Sequence, residues 1–367
     1  MQMLVRRGVA TAAKLLALAL CLTMLPAQAR VIADLYEVAE PVPSRSASDR
    51  AAAASRGLEQ VFVRVTGEPS IAGSGVLSPV LREAQSFMQG YRYVTEEDEL
   101  YVQLTFDPQA VAAKVHELQL PMWPNNRPGT LVWLAVDTLG EGRSYLSETE
   151  SPEVFSALDA AAIARGLPLE FPALDSTDRR AMPLGNLWAQ DERAAKSAAA
   201  RYQPDASLMG RVLQLSQGRW QGNWLLIHGG RSYAFDATGD SLETVAQQGV
   251  NEAANLLAQR YAVRPDAGGG ESSSVVLELV GVSTFADYNE ASAYLRGLAQ
   301  VSRADLLQVD GDRMRFALST GVPMRNLRDA LALNRKLRAE AEQDPIDLNG
   351  YRAPAGSAEN PLRYRWQ

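Results

Sequence analysis

The sequence of 367 residues predicts an α+β (mixed α/β) protein made of several small sheet-plus-helix units, the last of them a β-α-β-β-α ferredoxin-like piece. Two patterns support this class. Short apolar or alternating runs, typical of strands, are interspersed with stretches whose apolar residues recur at helical spacing. Turn-forming pairs such as Gln217-Gly218 and Asp310-Gly311 separate neighbouring strand candidates and indicate hairpins.

Breaks in these patterns divide the chain. The predicted boundaries are 1–29 for a signal peptide, 30–128 for an N-terminal α+β domain, 129–264 for a central α/β domain, 265–274 for a flexible linker, 275–340 for a C-terminal β-α-β-β-α domain and 341–367 for a disordered tail.

Residues 1–29 have the features of a secretory signal peptide. A positively charged start precedes an apolar run over residues 15–25, and a small-x-small cleavage site ends at Ala29. The apolar run is shorter than the roughly 20 residues needed to span a bilayer, so cleavage is favoured over retention as a membrane anchor. We therefore expect a periplasmic protein that begins at Arg30 and has no transmembrane segment after cleavage.

Composition excludes several functions. Cleavage would remove Cys21, the only cysteine, so no disulfide, thiol nucleophile or cysteine metal ligand is expected in the mature chain. The formal net charge is −7 at pH 7, and loss of the basic signal region makes it more negative. An acidic surface argues against broad nucleic-acid binding.

The N-terminal domain is expected to combine strands with an amphipathic helix. Its predicted elements are a strand at 31–38, a helix from Ser48 to Gly67, a helix at 77–90, strands at 91–94 and 100–106 around the acidic tip Glu96-Glu97-Asp98-Glu99, and a short helix capped by Asp107. The β-branched Val61, Val63 and Val65 leave a strand open as an alternative for the last helical turn.

A proline-rich crossing, residues 120–128, ends this domain, and we call it the joint segment. Its three prolines prevent a helix from passing through it. Trp123 lies between two of them and is predicted to seal a domain junction, with anchoring of a partner as the second interpretation. The unbroken apolar run Leu131–Val136 then predicts a strand that is covered on both faces.

The two later domains continue the alternation. The expected elements are helices at 151–166 and 189–202, strands at 206–215, 220–228 and 232–237, a long helix from Leu242, a strand at 275–282, a helix around 288–298, a hairpin over 307–318 and a helix at 323–339. Within the tail, Arg363-Tyr364-Arg365-Trp366 is the best candidate for an exposed binding segment, with a flexible chain end as the alternative.

Residues with chemical potential are few. The two histidines, His116 and His228, fall in different domains, so no metal ligand set is predicted. No catalytic or cofactor-binding residue and no cofactor are predicted either. Trp123, Arg127 and Asp137 are the candidate site residues, and we expect them either to line an open cleft or to form a closed domain joint.

Five segments carry a resemblance to a known family. They are Leu35-Tyr36-Glu37-Val38-Ala39-Glu40-Pro41-Val42-Pro43, Gln60-Val61-Phe62-Val63-Arg64-Val65-Thr66-Gly67, Leu120-Pro121-Met122-Trp123, Arg127-Pro128 and Leu131-Val132-Trp133-Leu134. Together with the signal peptide they resemble the exported proteobacterial family catalogued as domain of unknown function number 2066. The resemblance implies an unassigned activity and no catalytic residue.

These observations favour a non-enzymatic periplasmic protein, a binding or assembly factor of the Gram-negative cell envelope with an envelope protein as partner. Two alternatives stay open. One is a carboxylate-dependent cell-wall hydrolase that uses Asp137 or the Glu96 cluster, and the other is a protein that binds a small ligand in a cleft near Trp123. The sequence does not predict the oligomeric state.

Overall fold

The structure is a computed structural model, and it describes residues 35–96, 98–215, 218–264, 273–298, 300–333, 336–340 and 353–367. The expected signal peptide lies outside the described residues. The described residues form one compact unit that contains three sheets with helices packed against them. This arrangement confirms the predicted mixed α+β class. Among the helices of this described part, none is long and apolar enough to cross a membrane.

The N-terminal sheet is a three-stranded antiparallel sheet, ordered β1-β3-β2, that packs on one long helix. The elements are β1 (Glu37–Pro41), α1 (Ala47–Thr66), α2 (Ser78–Arg82), β2 (Met88–Glu96), β3 (Glu99–Phe106) and α3 (Pro108–Glu117). Helix α1 begins at Ser46, whose side chain accepts a hydrogen bond from Asp49 N at 3.1 Å, and it ends at Gly67.

The helix expected over 77–90 is wrong in its second half. Only Ser78–Arg82 is α-helical, and β2 already begins at Met88. Pairing of β2 with β3 explains the difference, because ladder hydrogen bonds to a neighbouring strand override a helical apolar spacing. The alternative strand at Val61–Val65 is not formed, since these residues lie in α1.

The central sheet has helices on both faces. Its elements are β4 (Thr130–Thr138), β5 (Gly142–Tyr145), α4 (Pro152–Arg165), β6 (Leu169–Glu170), α5 (Ser176–Ala181), α6 (Leu184–Trp188), α7 (Glu192–Tyr202), β7 (Ala206–Gln214), β8 (Trp220–His228), β9 (Arg231–Gly239) and α8 (Leu242–Tyr261). Strand order is β5-β4-β7-β8-β9, with β6 also paired to β4.

Strand β4 is covered on both faces, as its apolar run predicts. Val132 and Leu134 pack towards α4 and α8, whereas Leu131 and Trp133 pack towards α6 and α7. Both parallel neighbours of β4, strands β6 and β7, are reached through helical connections. The strand therefore forms the middle of a three-layer unit.

The C-terminal sheet is five-stranded, and the helices described in this unit pack against one of its faces. Its elements are β10 (Ser273–Val280), α9 (Phe285–Gly297), β11 (Arg303–Asp310), β12 (Arg313–Thr320), α10 (Met324–Ala332), β13 (Leu337–Ala339) and β14 (Leu362–Trp366). The order β11-β12-β10-β14-β13 contains the split β-α-β arrangement of ferredoxin-like folds, because β10 and β11 flank β12. Strand β14 lies parallel to β10 and separates it from β13.

Three expectations for this region need correction. The disorder predicted for 341–367 is wrong at its far end, because Leu362, Tyr364 and Trp366 alternate inwards and pair with β10 and β13. The helix expected over 323–339 ends at Ala332, and β13 follows it. Of the linker expected over 265–274, residues 265–272 lie outside the described residues, and Ser273 and Ser274 already belong to β10.

A glycine-to-alanine pair tests the packing of α8 on β8. A Cβ atom on Gly249 would lie 2.3 Å from ring atoms of Trp224. Alanine is favoured over glycine inside a helix by about 1 kcal/mol, but overpacking a core costs about 1–3 kcal/mol. We expect Gly249→Ala to lower the free energy of unfolding measured in urea.

The matched control is Gly185→Ala on α6, where the added methyl group meets open space and should not destabilise the protein. Equal stabilisation by both substitutions would contradict the close approach of α8 to Trp224.

Candidate functional site

The joint segment forms hydrogen bonds to parts of all three sheet units. The contacts are Met122 N to Val263 O at 2.8 Å, Trp123 N to Val65 O at 2.7 Å and Asn126 Nδ2 to Ala330 O at 3.1 Å. Val263 follows α8, Val65 lies in the last turn of α1, and Ala330 lies in α10. The joint segment is therefore hydrogen-bonded to all three sheet units.

Arg127 is the most deeply embedded charge in this segment. Its side chain is only 2% exposed, and none of the described residues offers it a hydrogen-bonded carboxylate. All five guanidinium N–H groups instead donate to main-chain carbonyls. These bonds run from Nε to Pro124 O at 3.1 Å, from Nη1 to Arg165 O at 2.8 Å and Gly166 O at 3.0 Å, and from Nη2 to Arg64 O at 2.6 Å and Trp123 O at 3.2 Å.

Three of these carbonyls, those of Arg64, Arg165 and Gly166, belong to the ends of two helices. Arg64 lies in the last turn of α1, and Arg165 is the last residue of α4. The carbonyl end of a helix carries a partial negative charge and has unpaired acceptors, so one guanidinium satisfies both helix ends. It also stacks over the Trp123 ring, with Cζ 4.0 Å from the ring centroid. Arg127 therefore fastens α1 to α4.

The approach of these helix ends depends on two glycines. Gly67 ends α1 at φ +73°, and Gly166 ends α4 at φ +60°. A Cβ atom on Gly166 would lie 2.7 Å from Arg127 Nη1, and one on Gly67 would lie 3.0 Å from the Trp123 ring. Both positions therefore require glycine for their backbone angle and for the space it leaves.

Two further arginines extend the same pattern. Arg165 donates to Gly67 O at 2.9 Å and to Asn251 O at 3.0 Å, and Arg64 donates to Glu37 O at 2.7 Å. Burial lowers the pKa of Arg127 to about 9, with Tyr36 acting in the opposite direction and the neighbouring Arg165 and Arg64 adding to the decrease. The guanidinium still carries its charge at neutral pH.

The candidate residues do not converge on open space. Trp123 is 0% exposed and packs against Arg127, so these two form a closed joint. Asp137 lies near the far end of β4, roughly 20 Å along the strand from Thr130 at about 3.3 Å per residue. There its carboxylate accepts a hydrogen bond from Arg143 Nε at 2.8 Å, within the β4–β5 hairpin.

The histidines have separate surroundings. His228 is buried, and its ring nitrogens lie 2.7 Å from Asp205 O and 2.5 Å from the Tyr261 hydroxyl. Burial lowers the pKa of His228. His116 is exposed on α3.

Within the described part of the chain, no group of three or more His, Cys, Asp or Glu side chains has the geometry of a metal site. Of the acidic tip, Glu97 lies outside the described residues.

A cleft of about 470 Å³ opens beside the closed joint, between the end of α1 and the last turns of α8. Its lining includes Thr66, Ser70, Pro121 and Gln259, and the ion pair between Arg264 Nη2 and Glu68 Oε1 borders it at 2.5 Å. The lining mixes polar and apolar residues and includes parts of the N-terminal and central units.

The C-terminal sheet carries a second polar arrangement on the face opposite the helices described in this unit. Six arginines share this face by strand register, and we call it the arginine face. Its members are Arg303, Arg313, Arg315, Arg338, Arg363 and Arg365. Their neighbours of opposite parity, such as Phe316 and Tyr364, belong to the core.

Glu278 lies at the centre of the arginine face and is only 3% exposed. Its Oε2 accepts a hydrogen bond from Arg315 Nε at 2.8 Å, and its Oε1 lies 3.3 Å from Arg363 Nε and 3.8 Å from Arg313 Nη1. One buried carboxylate thus faces three guanidinium groups. Three guanidinium groups and one carboxylate leave the cluster with a net positive charge, and the side chains of Arg313 and Arg315 are partly exposed to solvent.

Sequence reasoning found part of this face. The exposed-binding candidate Arg363-Tyr364-Arg365-Trp366 supplies two of the six arginines, and its alternation is the signal that separates Arg363 and Arg365 from the buried Tyr364. The role of Glu278 was missed because it interrupts an otherwise apolar strand only once. The alternating Arg313 and Arg315 in β12 were the available signal for the remaining part.

Comparison with known proteins places only the N-terminal unit. Residues 29–124 match the model of a family described as Domain of unknown function (DUF8605). No curated protein matches the chain. The resemblance to domain of unknown function number 2066 is therefore wrong. Of the five segments behind it, Arg127-Pro128 and Leu131–Leu134 fall outside the matched region, and all five are structural patterns that do not distinguish one such family from another.

Substitution of Arg127 tests its role as the fastener of α1 and α4. Lysine has three donors, so Arg127→Lys leaves at least two buried carbonyls without a partner, and each costs about 1–3 kcal/mol. We expect a loss of about 2–5 kcal/mol in the free energy of unfolding, measured by urea denaturation.

Arg143→Lys is the control, because Arg143 forms an exposed ion pair with Asp137 and stacks on Trp188. Arg143→Lys should lower the free energy of unfolding by less than about 1 kcal/mol. Losses of similar size in the two variants would show that the joint does not depend on Arg127.

Proposed function

We propose that this chain is a non-enzymatic binding or assembly factor, exported to the periplasm of a Gram-negative cell, and that its arginine face binds a phosphate-bearing component of the envelope. The observation that carries this proposal is the cluster of three arginines around the buried Glu278. Guanidinium groups bind phosphate oxygens through pairs of parallel N–H donors, and Arg313 and Arg315, whose side chains are 57% and 38% exposed, can offer such donors at this face.

The location of Glu278 supports recognition over simple solvation. A buried carboxylate holds the three guanidinium groups near one another, which reduces the loss of side-chain freedom on binding. Arg313 and Arg315 are on β12 and Arg363 is on β14, the two strands that flank β10, so the cluster lies on a rigid sheet. The flat open face suits a membrane surface better than an enclosed small molecule.

Export is supported by the charged start, the apolar run and the cleavage site at Ala29. In the periplasm, envelope lipids would supply the phosphate groups that the arginine face binds. A chain of net negative charge that carries a local basic face would approach such a surface in one orientation.

Removal of two arginines from the face tests the binding proposal. Each Arg near an anionic membrane contributes about 1 kcal/mol, so Arg313→Ala with Arg315→Ala should weaken binding to phosphatidylglycerol vesicles by roughly 30-fold. Co-sedimentation with the vesicles measures this, and phosphatidylcholine vesicles should not bind. Competition by inorganic phosphate distinguishes recognition of the phosphate group from attraction to a charged surface.

The matched control removes two charges elsewhere, at Arg193 and Lys196, which are exposed on α7. An equal loss in this control, or equal binding to both kinds of vesicle, would contradict recognition by the arginine face. Circular dichroism checks that both variants keep their fold.

Export has its own test. Cell fractionation followed by mass spectrometry should find a chain that begins at Arg30 in the periplasmic fraction. Ala29→Leu should accumulate the uncleaved precursor, because the cleavage site needs a small residue there. Ala33→Leu is the control and should be processed normally. An intact chain that begins at Met1 in the cytosol of the unchanged strain would contradict export.

A further inference from the structure

Strand β11 is an uncovered edge of the C-terminal sheet with apolar residues exposed along it. The order β11-β12-β10-β14-β13 leaves one side of β11 without a strand partner among the described residues. Leu306, Leu307 and Val309 are 39%, 57% and 53% exposed. A strand edge of this kind presents unpaired N–H and C=O groups together with apolar side chains, which favours pairing with another strand.

The two faces of β11 are fixed by its pairing with β12. Arg303 and Asp310 lie on the arginine face, because they pair with Ser319 and Arg313. Ala304 and Val309 lie on the opposite face, because they pair with the buried Leu318 and Met314. A bulge between Leu306 and Gln308 changes the alternation midway, so that both halves of the strand keep their polar residues on the same face.

From this pattern we infer that β11 pairs antiparallel with β11 of a second copy of this chain, around a two-fold axis between Leu306 and Leu307. This register sets Arg303 opposite Asp310 of the partner copy, and the symmetry repeats that contact. Ala304 then faces Val309, Asp305 faces Gln308 and Leu306 faces Leu307. The three outer pairs each join residues of the same face, the central pair brings two exposed leucines together at the axis, and the charged pair is of opposite sign.

Neighbouring registers are less favourable. A shift of one residue sets Arg303 opposite Val309, which places a polar residue of one face against an apolar residue of the other. A shift of two residues in the direction of the turn sets Asp305 opposite Asp310, which brings like charges together. Within each copy Arg303 already contacts Asp305, with Nε 2.7 Å from Oδ2, so it is held close to the edge that the partner approaches.

Pairing of this kind joins two five-stranded sheets into one. The two-fold axis that relates two antiparallel edge strands is perpendicular to the joined sheet. Both arginine faces therefore lie on the same side of it. The dimer therefore presents both arginine faces on one side, with the Arg303–Asp310 pairs between them. This inference does not depend on what the arginine face binds.

The oligomeric state of the chain from residue 30 tests this inference. Sedimentation velocity over a concentration series should show reversible dimers for the unchanged protein. Val309→Lys should shift the protein to monomers, because it places a charge against the apolar Ala304 of the partner copy. Leu139→Lys is the matched control, as Leu139 is an exposed apolar residue in the β4–β5 turn, and it should dimerise normally. A monomer at every concentration, or dimers of unchanged strength in Val309→Lys, would overturn the proposal.

Charge exchange then tests the register. Arg303→Glu should weaken the dimer, because it sets a carboxylate opposite the carboxylate of Asp310, and Asp310→Arg should weaken it for the reciprocal reason. The double variant should restore it. A mixture of the two single variants should also form dimers, since each contact then pairs opposite charges. If neither the double variant nor the mixture regains dimerisation, β11 does not pair in this register.

Discussion

The structure depends on one buried cation that is solvated entirely by the main chain. Arg127 places its guanidinium where α1 and α4 both end, and its five N–H groups replace the water that these carbonyls would otherwise bind. A carboxylate partner would have neutralised the charge of Arg127. Without one, the guanidinium attracts the negative ends of the α1 and α4 dipoles at the same time. The N-terminal and central units are therefore held by electrostatics inside a dry joint, and Trp123 closes its side.

The sequence predicted much of this organisation from local patterns. Prolines in the joint segment and the apolar run at Leu131–Val136 identified the crossing and the central strand, because backbone restriction and burial leave direct marks on composition. The function of Arg127 could not be predicted. Its partners Arg64 and Arg165 are distant in the chain, and carbonyl acceptors have no signature in side-chain identity.

At the arginine face, too, local sequence patterns could be interpreted, whereas contacts between distant segments could not be predicted. Alternation predicted the hairpin that contains Arg313 and Arg315, whereas Arg363 and Arg365 fell in a tail that was expected to be disordered. It could not predict that β14 lies next to β10, because strand order depends on pairing energies between remote segments. The central position of Glu278 follows from that order, so the cluster became visible only with the assembled sheet. The expectation of disorder at Leu362–Trp366 failed for the same reason.

The place of β14 also bears on how the C-terminal sheet is assembled. Leu277 pairs with Leu362, so the middle of this sheet needs a segment that is synthesised long after β10, α9 and β12. Closing such a long loop is slow compared with forming a hairpin. Until β14 arrives, β10 and β13 would each present an open edge to the solvent. The C-terminal sheet can therefore close only after the chain has been made as far as residue 366.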